Sequence, residues 1–337
     1  MRPRFSALVT VLLLVVGGMA LTACDPVVPI TVTTTADGSD ADPGDGVCEA
    51  TPGVGDCTLR AAIDEGSAAW AANLTVPAGT YALSVIDADG ARDLDVSGSI
   101  SINWETSLAV VVQVGGGVGQ VAVDVQPGAR FTASGLQLVE GRLQVAGNAV
   151  LDRASLTVDP GTILSSGGSR LAVLPGGSVV LGNSEVFAYG SAAVENAGAA
   201  SLVYTTISTL NGGPGISTTG SGATTLQAFQ YLPYGAFRGV FAQAHHPGCS
   251  GNLPQSNGGN WVPNDSCHLT GEADVQTATV LGTGTGMYYA ATWLDQIPVG
   301  VAGCGTSSTV DAAGNPRPSD SNGDGVAQCE PGNRESS

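Results

Sequence analysis

The sequence predicts an all-β chain, a right-handed parallel β-helix (solenoid) with a short N-terminal capping helix and a disulfide-containing C-terminal cap. The first observation behind this is a weak internal repeat. Stretches beginning at Gly128, Gly147, Gly177, Gly198 and Gly222 each run as glycine, alternating strand, short kink and second strand. Their period, about 20 residues, is what one solenoid coil needs. The second is composition: 49 glycines with only 5% aromatic residues mark a turn-rich β chain. A β-sandwich also has short strands at regular spacing. Self-similarity between copies favours the solenoid, because one coil cannot bury its inward Val, Leu and Phe alone and stacked coils can.

Residues 1–23 read as an export signal. Arg2 and Arg4 precede an apolar run from Ala7 to Val16, followed by small residues and Cys24. The run is shorter than the ~20 residues of a spanning helix. Leu21-Thr22-Ala23-Cys24 resembles the lipobox of bacterial lipoproteins. The resemblance implies diacylglyceryl attachment to the Cys24 thiol, cleavage before it and acylation of the new amino group. It places the protein outside the cytoplasm, anchored to the membrane through that lipid. Several chains hold firmly where one holds marginally, at about 0.8 kcal/mol per buried CH₂.

Residues 24–75 form a tether and N-terminal cap. Ile30–Thr35 is β-branched and alternating, hence a strand. Ala36–Cys48 is an acidic loop of turn formers. Thr58 is an N-cap candidate for a helix with Leu59, Ala62 and Ile63 on one face, ending by Asn73. The strand, the Asp/Gly loop, Cys48 and Cys57-Thr-Leu-Arg-Ala-Ala-Ile63 together resemble the CSLREA domain. That domain is an N-terminal module of exported bacterial proteins with parallel β-helix bodies. The likeness runs from Ile30 to Leu83 and departs at Thr58 and Ala61. It implies a β-helix body and supplies no residue-level activity.

Residues 76–244 are the repeats. Residues 245–337 are the C-terminal cap and acidic tail, where the repeat fades and four cysteines appear. With Cys24 lipidated, six cysteines remain, an even set that outside the cell reads as disulfides. Neighbours in sequence suggest Cys48–Cys57, Cys249–Cys267 and Cys304–Cys329. Zinc is the alternative, without a C-x-x-C or His-x-x-x-His spacing to support it.

The chain has no lysine, and its formal net charge is −18. Eleven arginines less Arg2 and Arg4 leave nine against 29 acids. Such a surface repels nucleic acid and anionic headgroups. Asp320, Asn322 and Asp324 match the opening of a calcium loop, and the alternative is a solvated acidic turn. The closing acid is missing: Pro331 stands there, beside Glu330. Asp40, Asp42 and Asp45 are a weaker calcium candidate, for which solvated turn carboxylates are the leading reading. No cofactor is assigned firmly; calcium is the candidate these loops offer. His245 and His246 point to opposite strand faces and cannot chelate one metal simply; His268 follows Cys267.

No catalytic residue is assigned. In the repeats Asp152, Asp159, Glu185 and Glu195 occur singly, and Asp152 beside Arg153 reads as an exposed coil pair. The expected role is structural, adhesive or binding, with a glycan or surface protein as partner. The alternative is a carbohydrate-active enzyme of β-helix shape. Carboxylates converging on adjacent coils would favour the enzyme; a flat stripe of Thr, Ser, Asn and aromatic residues without them would favour binding.

Overall fold

The computed structural model describes residues 27–87, 90–104, 110–114, 120–157, 170–210, 212–237, 240–243, 247–262, 264–272, 274–276, 311 and 315–317. Strand β1 (Val28–Thr31) and helix α1 (Leu59–Ala68) precede the coils. The first coil is β2 (Ala71–Val76), β3 (Gly79–Leu83) and β4 (Leu94–Val96). The second is β5 (Ser99–Trp104), β6 (Val110–Val114) and β7 (Val121–Val125). The third is β8 (Arg130–Ser134), β9 (Leu136–Val139) and β10 (Arg142–Val145). The fourth is β11 (Asn148–Asp152), β12 (Ser155–Thr157) and β13 (Leu171–Val173). The fifth is β14 (Ser178–Gly182), β15 (Glu185–Tyr189) and β16 (Val194–Asn196). The sixth is β17 (Ala199–Val203), β18 (Thr206–Leu210) and β19 (Ile216–Thr218). The seventh is β20 (Ala223–Gln227) and β21 (Gln230–Phe237), a hairpin to β22 (Val240–Gln243), then β23 (Cys249–Gly251). Short strands β24 (Gln255–Ser256), β25 (Trp261–Val262) and β26 (Val275–Gln276) continue it.

Among the described residues every strand except the hairpin strand β22, which runs antiparallel to β21, pairs in parallel with its counterpart one coil away, giving three sheets of nine, seven and ten strands. The protein is thus mainly β and built as a parallel solenoid. Sheet A runs from β1 to β24, sheet B from β3 to β26 and sheet C from β4 to β23. Sheet A begins and ends inside the segments read from sequence as caps, so strand pairing extends into both.

The repeat is a column-building device. Leu151, Leu181, Leu202 and Leu226 stack in register on sheet A. Leu138, Leu156, Val186, Ile207 and Tyr231 do so on sheet B. All are buried in one continuous core. Each such side chain contributes about 1.5–3 kcal/mol by leaving water. Towards the last coils the lumen turns polar. Asn196 donates to Thr224 Oγ1 at 2.9 Å, and the Thr218 and Thr224 hydroxyls share a 2.9 Å bond.

The repeating glycine has a sharper cause than corner flexibility. A Cβ on Gly177 would lie 2.2 Å from the Val145 carbonyl oxygen, and one on Gly198 2.3 Å from that of Gly177. These corners run against the backbone of the preceding coil, so no side chain fits. The kink between sheets A and B uses the left-handed region instead. Gly135, Arg153, Asn183, Tyr204 and Ala228 all have positive φ there, and their N–H groups donate in turn to the next coil's carbonyls. Only the first is glycine; Arg153 (φ 53°) and Tyr204 (φ 49°) hold a conformation that costs about 1–2 kcal/mol. The ladder bond and tight stacking offset that cost.

Helix α1 has Thr58 as N-cap, its hydroxyl accepting from Ala61 N–H at 3.0 Å and donating to the Gly38 carbonyl at 2.5 Å. Leu59, Ala62 and Ile63 are buried against the core. The helix packs on β1, β2, β4 and β5. β2 starts at Ala71, so strand begins before the Asn73 limit set for the helix from sequence. Trp70 takes a positive φ and turns the chain directly from helix into strand.

Candidate functional site

The N-terminal cap is built around a buried arginine. Arg60 is 3% exposed, and it pairs with Asp37, itself 4% exposed, through Nε at 2.9 Å and Nη2 at 3.3 Å. Its remaining donors reach the carbonyls of Asp93, Arg92 and Val85 and, at 3.5 Å, the Asp87 carboxylate. Asp37 also accepts the N–H groups of Ser84 (2.5 Å) and Val85 (2.7 Å). Burial alone would raise the Asp37 carboxyl; the Arg60 hydrogen bonds and the two amides outweigh it and hold the group below its ordinary value. One guanidinium therefore ties the acidic loop, the helix and the first coil together.

Two disulfides flank the coils. Cys48 is bonded to Cys57 and Cys249 to Cys267. Cys24, Cys304, Cys329, Asp159, Asp320, Asn322, Asp324, His245 and His246 lie outside the described residues. His268 is exposed, at a positive φ of 45°.

Asp40, Asp42 and Asp45 do not gather their carboxylates on one point. Asp40 Oδ1 accepts from Asp42 N–H at 3.1 Å, and Asp45 Oδ1 from Val47 N–H at 2.7 Å. Helix acids complete the loop. Asp64 Oδ2 accepts from Asp40 N–H at 3.1 Å, and Glu65 accepts from the N–H groups of Gly44 and Gly46.

A different carboxylate group does converge. Asp93, Asp95 and Asp124 bring their oxygens within 4.8 Å of one another, the one such trio among the described residues. Asp95 on β4 pairs in register with Asp124 on β7. The Gln126 amide bridges them, donating to Asp95 Oδ1 at 3.1 Å and Asp124 Oδ2 at 2.9 Å. Gln144, one coil further, donates to Asp124 Oδ1 at 3.3 Å and accepts from Arg142 at 2.8 Å. All-oxygen ligands at this spacing suit a hard cation. They are closer than the roughly 5–9.5 Å of paired glycosidase carboxylates. Asp124 is remote from the other two acids along the chain. Asp124 meets Asp95 only because the two are one coil apart. The readable signal is Asp93-Leu94-Asp95, two acids two residues apart, followed by a third after one full coil.

The broadest feature is the outer face of sheet A. Asn73, Ser101, Thr132, Val150, Val180, Ser201 and Thr225 form one column in strict register, none of them buried. A parallel column holds Thr75, Asn103, Ser134 and Asp152. Arg153 lies at its edge, bonded to Asp152 at 3.2 Å and to Ser134 at 2.8 Å, with Asn183 donating to Asp152 at 2.9 Å. Asp152 and Arg153 are thus tied into this surface.

Sheet B differs. On β18 the outward Thr206, Ser208 and Leu210 are buried. At the adjacent corner the Arg317 guanidinium stacks 4.0 Å from the Tyr204 ring, bringing the C-terminal region onto the coil. Comparison with known proteins finds no matching family model, no curated relative and no similar solved structure.

Proposed function

We propose that this chain is an exported, lipid-anchored cell-envelope protein whose right-handed β-helix displays a binding or adhesive surface to glycan or protein. The observation that carries the reading is the outer face of sheet A, a ladder of Ser, Thr, Asn and Val with strands about 4.8 Å apart. Hydroxyl and amide groups on a rigid sheet match sugar hydroxyls or a peptide surface without ordering flexible side chains. A lipid on Cys24, next to the CSLREA-like cap, holds that surface at the membrane. The right hand follows from the general bias of parallel crossover connections.

The test has two arms. Cys24→Ala should release the protein from membranes, and retention would refute the anchor. Thr132→Arg with Ser201→Arg should abolish retention of the full chain on whichever immobilised polysaccharide or envelope fraction it binds; equal retention removes sheet A from the reading.

The second reading is a carbohydrate-active enzyme; the convergence of Asp93, Asp95 and Asp124 on neighbouring coils favours a cation-assisted lyase over a hydrolase, whose paired carboxylates stand further apart. Release of product from a polysaccharide panel, with and without calcium, lost in Asp124→Asn, would establish it in place of the first.

A further inference from the structure

We propose that the N-terminal cap contains a calcium-type divalent cation site centred on the carboxylate of Asp40 against Glu65. Asp40 is 8% exposed, and its Oδ2 has no hydrogen-bond partner. A buried carboxylate oxygen without a donor costs free energy unless something positive meets it. The Asp42 and Glu49 amides reach this carboxylate, and the charged groups that face it are acids. From the helix come Glu65, 2% exposed, and Asp64, which accepts Asp40's own N–H. From its own loop come Asp45 and Asp42, the latter through its N–H. The guanidinium on the same helix, Arg60, is committed to Asp37, Asp87 and three backbone carbonyls.

Burial, with the charges of Glu65 and Asp45 added, pushes the Asp40 carboxyl above its ordinary value; burial does the same to Asp64. The pocket is therefore short of positive charge. Its donors are all oxygen, the set a hard cation prefers. Asp40 and Glu65 are the inner pair, the Glu65 oxygens keeping a second lone pair beyond the Gly44 and Gly46 N–H groups they accept. Asp45, exposed at the rim, can turn inward, and water and loop carbonyls fill the remaining positions of the six to eight calcium takes. A cation there would clamp the acidic loop, itself closed by Cys48–Cys57, onto α1. The inference is independent of what sheet A binds.

The experiment is limited proteolysis of the 37–57 loop in the purified full chain, stripped with chelator and then titrated with calcium or magnesium. Calcium is expected to slow cleavage at least tenfold, and magnesium to do so less. Asp40→Asn should erase the calcium effect while resisting proteolysis in chelator as well as the wild type does, since it removes a buried charge. Asp45→Asn, at the exposed rim where folding is not at stake, should raise the calcium concentration needed several-fold. Loop cleavage indifferent to calcium, or calcium protection that survives in Asp40→Asn, would overturn the proposal.

Discussion

The N-terminal cap and the middle coils solve the same problem with opposite chemistry. From β8 to β20 each strand has a partner on either side, and stacked Leu, Val and Ile fill the lumen. At the cap the periodic partners run out. There a buried ion pair, a disulfide and a capped helix take over, with Arg60 alone linking segments 37, 85, 87, 92 and 93. A repeat needs only apolar side chains at the right phase, because each coil supplies the next one's partner. An end must satisfy groups the repeat leaves open, and polar or covalent links do that at specific positions.

Three perturbations test this contrast. Arg60→Met should act most strongly. It strands Asp37 in the cap without its partner, and breaking a buried pair costs about 3–5 kcal/mol. Chemical denaturation should show early exposure of the cap, and Arg60→Met with Asp37→Leu should recover much of the loss. An Arg60→Met chain as stable as wild type would remove the ion pair from the account.

Leu202→Ala is next. It opens a cavity between Leu181 and Leu226, at about 2–5 kcal/mol. The loss should be spread over the neighbouring coils, because each coil leans on those beside it. Hydrogen exchange should therefore quicken in β14, β17 and β20 while α1 stays protected. Equal acceleration in α1 would mean that cap and coils unfold as one unit.

pH should act least, and through the cap. The folded pKa of Asp37 lies below 3.8, so its stabilisation is complete above that value and is lost as pH falls through the lower folded one. Asp40 and Asp64 have folded pKa values above 3.8. In chelator their penalty is absent at low pH and grows as pH rises through those values. Cap stability should therefore peak in mildly acidic buffer, measured as loop proteolysis against pH. A monotonic rise to neutral pH would show that Asp40 and Asp64 are compensated without a cation.

Much of this architecture was readable along the chain. The Gly-led copies indicated stacked coils because a solenoid imposes one local pattern on every turn. The Thr58 cap and the apolar face of α1 depend on spacings of three and four residues. The Cys48–Cys57 and Cys249–Cys267 pairs are neighbours in sequence, so short loops brought them together.

What the sequence did not reveal depends on phase between coils. Nothing local says that Gly177 lies under the Val145 carbonyl, or that Arg153 and Tyr204 take positive φ where Gly135 does so freely. Asp95 and Asp124 become neighbours only through the register of β4 on β7, and the insertion lengths of the loops between them set that register. Arg60 looked like one letter of a motif until the fold brought Asp37 and the 85–93 backbone around it. Sequence by itself determined what repeats, because repetition is a local property of side-chain order. Tertiary structure decided which charges meet, because in a solenoid every lateral contact joins residues a full coil apart.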